Sequence, residues 1–104
     1  MRHYLIALAA TVVLTGPAMA QVQPRAVPDF GAYSEISDPF ETPDRSLRYK
    51  IVFDVAQAAR TPGSAHQGLE RVARMVNLLH RYSIDLRPGD IVVTLHGPAA
   101  RTAL

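Results

Sequence analysis

Two short apolar runs, one on either side of an amphipathic stretch, constrain this chain more than anything else in it. Tyr49-Lys50-Ile51-Val52-Phe53-Asp54-Val55 is β-branched and aromatic, as buried strands are. Asp90-Ile91-Val92-Val93-Thr94-Leu95 is a second run of the same kind. Between them, Ser64 to about Tyr82 carries Leu69, Val72, Ala73, Val76 and Leu79 at helical spacing, which defines one apolar face. Ser64 and Gln67 form an S-x-x-Q capping box, each side chain satisfying the other residue's free N–H. Glu70 and Arg74 stand at i,i+4 on the opposite side, in the favourable order. Gly68 weakens the first turn by about 1 kcal/mol relative to Ala, and lets a helix approach a sheet closely. Thr61-Pro62-Gly63 and Arg87-Pro88-Gly89 read as turns, and His96-Gly97-Pro98 closes the second strand. Ala99 to Leu104 reads as the first turns of another helix.

This order spells a βαβ unit, an α/β fold class with parallel strands and a right-handed crossover. Near-continuous apolar runs suit strands that are covered on both faces. One long helix and a C-terminal stub do not supply that cover, and both strand edges are open. The expectation for 48–104 is a partial α/β domain. Its sheet is completed by self-association, by a partner subunit, or by a C-terminal half beyond Leu104.

The N-terminus has a different logic. Arg2 and His3 form a short basic head, and Leu5 to Leu14 is apolar except for Thr11. Gly16 and Pro17 break a helix, and Ala18-Met19-Ala20 places small residues in the A-x-A pattern that signal peptidase needs. The apolar run is roughly half of the about 20 residues a spanning helix requires. Residues 1–20 are therefore expected to be a cleavable signal peptide. Ala18 and Ala20 mark the cleavage site, and Gln21 is the first residue of a periplasmic or secreted protein. No membrane attachment is expected after cleavage, since no Cys stands at a lipobox position.

Residues 21–47 read as a Pro-rich arm or linker. Pro24, Pro28, Pro39 and Pro43 remove donors and disfavour helix. Val27, Phe30, Tyr33, Ile36 and Phe40 are too apolar for a free tail, so the arm is expected to wrap over the domain or a partner.

The formal charge is +2, and loss of Arg2 lowers it by one. Lys and Arg interleave with Asp and Glu along the chain, which argues against a nucleic-acid binder. There is no Cys, which excludes a disulfide framework, a thiolate nucleophile and a cysteine-based metal or iron–sulfur site.

The strand containing Val52-Phe53-Asp54-Val55, the helix with Val72-Ala73-Arg74-Met75-Val76-Asn77-Leu78-Leu79, and the strand closing in His96-Gly97 occur in order and at suitable spacing. Together they resemble the N-terminal half of a DsrE/DsrF-like protein, of the exported, signal-bearing branch, over roughly residues 48–104. The resemblance implies part of a three-layer α/β/α sandwich with a parallel sheet, in a group whose members commonly form oligomers. Cytoplasmic members of that family relay sulfur as a persulfide on a Cys beyond the segment matched here. This chain has no Cys, so that carrier has no counterpart in it.

Ligands of open parallel sheets bind at the carboxyl ends of the strands. Asp54, Gln57, His96 and Gly97 fall there. His96 has the chemistry of an acid, base or ligand, or of a residue that only fixes its turn. Asp54 either lines a site or receives N–H groups of the following loop. Asn77, near the helix's apolar face, is expected to bond across to the sheet or to a second subunit. His66 and His80 are expected at the surface, and neither makes a metal-site pattern with neighbouring residues. Pro98-Ala99-Ala100 opens a helix with too few free N–H groups for more than a weak anion site. Neither a metal nor a cofactor is expected. The sequence favours an exported, non-catalytic DsrE-like protein acting as a binding or assembly subunit. The alternative is a truncated sulfur-relay (sulfurtransferase-like) protein whose catalytic Cys lies in a missing C-terminal half.

Overall fold

A computed structural model describes Gly16 and residues 24–103 of the chain. The signal-peptide reading of residues 1–20, with its cleavage residues Ala18, Ala20 and Gln21, lies outside the described residues apart from Gly16. The described chain is an α/β unit: strand β1 (Ile51–Val55), helix α1 (Gln67–Arg81), strand β2 (Ile91–Leu95) and a 3-10 segment (Gly97–Ala103). β1 and β2 pair in parallel, with Val52 beside Val92 and Asp54 beside Thr94. Parallel pairing requires a crossover of a dozen or more residues, and α1 with its flanking loops provides it.

Burial along both strands alternates, which corrects the expectation of cover on both faces. Ile51, Phe53 and Val55, with Ile91, Val93 and Leu95, face inward, while Val52 and Val92 are 68% and 43% exposed. The core is small: Val55, Ala73, Leu79, Ile84 and Ala99 are its buried apolar residues. A β-carbon added to Gly68 would lie 2.6 Å from the Val55 side chain, so the missing side chain sets how closely α1 meets β1. Ala99, fully buried, donates its N–H to the Ala56 carbonyl and ties the 3-10 segment to the loop after β1.

The helix begins later than the sequence suggests, and with a different cap. His66, not Ser64, is the N-cap: its Nδ1 accepts the Gly68 N–H at 3.0 Å. That bond fixes the tautomer, so Nε2 carries the proton and donates to the Gln57 carbonyl at 2.8 Å. Ser64 instead donates to the Thr61 carbonyl, and Gln67 exchanges bonds with Ala58 and Arg60. His66 is 5% exposed, which corrects its expected place at the surface. His80 is half-buried. The C-terminus of α1 closes with the double bond pattern of a Schellman motif, Ser83 N–H to His80 and Ile84 N–H to Leu79. Ser83 takes the left-handed conformation there, at φ 59°, and Ile84 turns into the core.

The arm lies along α1. Asn77 is 1% exposed, and its side chain bonds to the arm and not to the sheet. Its Oδ1 accepts the Val27 N–H, and its Nδ2 donates to the carbonyls of Val27, Phe30 and Gly31. Glu70 and Arg74, expected to pair with each other, both reach the arm: Gly31 N–H donates to Glu70, and Arg74 Nε donates to the Ala32 carbonyl. Arg81 and Glu35 add an exposed ion pair at 2.8 Å. At the other end of the unit, buried Asp90 accepts from Arg48 Nε and from the Arg87 N–H. These two bonds anchor the turn that starts β2.

Candidate functional site

Asp54 and His96 are brought together by strand register. Asp54 stands opposite Thr94 across the pair, and His96 follows two residues later, on the same outward face. His96 Nε2 lies 2.6 Å from Asp54 Oδ1. Thr94 Oγ1 donates to that same oxygen at 3.1 Å and makes a longer contact to the Phe53 carbonyl. The His96 backbone N–H donates to the Val55 carbonyl, which holds the chain in line as β2 ends.

Both bonds converge on Oδ1. Asp54 Oδ2 has no hydrogen-bond partner among the described residues. The group is therefore a carboxylate clamped through one oxygen and presented through the other. It is not a nucleophile–base arrangement, because the Thr94 hydroxyl bonds to the carboxylate and not to the imidazole. Side-chain exposures of 70% for Asp54 and 58% for His96 leave the pair in water, without the dry surroundings that strengthen electrostatic catalysis.

Neither Gln57 nor Gly97 takes part in the bonds of this pair. Gln57 lines a cleft of about 300 Å³ at the carboxyl end of β1, with Asp54, His66, Gly68 and Arg71. Its carbonyl is the acceptor for His66. His96 and Gly97 do not line that cleft. Gly97 opens the 3-10 segment, which replaces the expected helix over Ala99–Leu104. An apolar groove of about 320 Å³ lies where the arm's Phe30 meets Ala65, His66 and Leu69. Among the described residues no group of three or more metal-ligating side chains forms, and no helix is long and apolar enough to cross a membrane.

Three members of these sites were not assigned to them from sequence. Thr94 could have been found by aligning the two strands in parallel, since that alone sets it beside Asp54. His66 could have been found as a ring nitrogen two residues before an N–H at a helix start. Arg71 carries no local signal. No protein-family model, curated protein or solved structure matches this chain.

Proposed function

We propose that this chain is an exported, non-catalytic protein that acts as a binding or assembly subunit, of the DsrE/DsrF-like kind that its sequence resembles. The observation that carries this reading is the open face of the sheet, where Val52 and Val92 stand side by side and exposed. Two parallel strands with one face in water are unusual, because parallel sheets are normally covered on both sides. Their free edges are also ready to pair with another chain. A layer added to the open face would cover the side of the sheet that α1 leaves in water. The carboxylate–imidazole pair supports binding over catalysis, because it is exposed and holds no nucleophile. Export rests on the basic head, the short apolar run and Ala18-Met19-Ala20.

Size-exclusion chromatography with light scattering, on protein recovered from the periplasm or medium, tests this reading. A mass of two or more chains, or of one chain with a co-purifying subunit, is the expected result. A folded monomer at every concentration, with no partner, would overturn it.

A further inference from the structure

The open sheet face has a charge pattern as well as an apolar one. Its outward positions on β1 run Val52 then Asp54, and the exposed Lys50 extends the same alternation just before the strand. Cation, valine and anion thus follow one another along a single edge. On β2 the outward positions are Val92 and Thr94, with Val92 in register beside Val52. The valines make the centre of the face, Lys50 one end and the clamped carboxylate of Asp54 the other.

The geometry points to a second copy of this chain as the cover of that face, stacked antiparallel about a two-fold axis that crosses the strands at Val52 and Val92. This inference rests on the assembly reading and names its partner. A two-fold contact presents the same patch from both copies, so the patch must be complementary to itself. Two such stackings put face on face. With the axis along the strands, every residue keeps its level, whether β1 lies over β1 or over β2 of the second copy, and Lys50 never meets Asp54. With the axis across the strands, Lys50 sits over Asp54 of the second copy, and this happens twice. Only the second arrangement matches the charges. Packed sheets lie about 10 Å apart, a gap that a lysine and an aspartate can span from opposite sides. Val52 and Val92 then meet their own counterparts and leave water. Thr94 and His96 act as positioning residues: they hold Asp54 by Oδ1 and leave Oδ2 to face the incoming lysine.

Charge reversal tests the arrangement in the full chain, expressed with its own N-terminus and recovered as its host processes it. Sedimentation equilibrium would be run on the wild type, Lys50→Glu, Asp54→Lys and the double variant. The expected result is a wild-type dimer, each single variant about tenfold or more weaker in self-association, and restoration in the double variant. The altered groups are exposed, so circular dichroism should show all four proteins equally folded. A wild-type dimer indifferent to both single changes would overturn this face as the contact while leaving the assembly reading intact. Weakening by either change without restoration in the double variant would overturn the antiparallel pairing. A wild-type monomer with no partner would overturn both readings.

Discussion

Asn77 and Gly31 fit each other through the backbone: the Asn77 amide donates to the Gly31 carbonyl at 3.1 Å, and Gly31 lies almost on the helix itself. A β-carbon at Gly31 would fall 2.3 Å from the backbone of Ala73 and Arg74, and its φ of 68° is left-handed besides. Replacing Gly31 by Ala should therefore unseat the arm. We expect a loss of about 2–3 kcal/mol in thermal or denaturant unfolding. Limited proteolysis within residues 32–47 should accelerate in the same variant. Unchanged cleavage and stability would show that the arm is not seated on α1.

Asn77→Ala removes the acceptor of the Val27 N–H and the donor to three carbonyls. The stranded arm groups should cost about 2–3 kcal/mol in a chemical melt. Because both changes release one segment, Gly31→Ala with Asn77→Ala should destabilise by clearly less than the sum of the two. Full additivity would mean that the two residues do not hold the same thing.

Asp90 makes the unit sensitive to acid. The Arg87 N–H and the Arg48 guanidinium hold its carboxyl below the ordinary carboxylate range. A depressed folded value gives stability that is fully present above the unfolded pKa of about 3.9. That stability is lost as pH falls through the folded value. Stability of the wild type should therefore decline below about pH 4, and Asp90→Asn should flatten that part of the curve. A pH titration of the unfolding midpoint reads both, and parallel curves would remove Asp90 from the account.

His66→Ala should lose both the N-cap and the tie to the Gln57 carbonyl, costing about 1–2 kcal/mol. Ser64→Ala should cost less than about 0.5 kcal/mol, since its hydroxyl caps nothing on the helix. A melt that ranks the two in the opposite order would restore the Ser64–Gln67 capping box.

Val76 stands at a half-buried position of α1. Val76→Asp should destabilise the unit by about 2–3 kcal/mol, by placing a charge against the apolar side of the helix. Unchanged stability would mean that this side of α1 does not face the core.

The strands and helix were legible because apolar spacing alone specifies them: Val52 to Val55, Leu69 to Leu79 and Ile91 to Leu95 are found where periodicity puts them, to within a few residues at the ends. Pairing of Asp54 with His96 follows from parallel register, so both were readable as strand-end residues. What failed was local competition between polar groups. Ser64 and His66 both offer an acceptor to the start of α1, and sequence cannot weigh a buried imidazole with two partners against a hydroxyl with a closer carbonyl. Asn77, Glu70 and Arg74 bond to a segment more than thirty-five residues earlier, beyond the reach of helical spacing. One-sided burial of the strands was hidden too, because exposed Val52 and Val92 look like core residues in a sequence.

The clamp on the arm also orders events in time. A ribosome or translocation channel releases a chain from its N-terminus, so the arm emerges first. The amide that grips Gly31 follows it by 46 positions. Until that length has cleared the exit, the peptide groups of Val27, Phe30 and Gly31 have no helix to dock on. Throughout that interval the arm is an undocked tether, and its fixed shape waits on the last turns of α1.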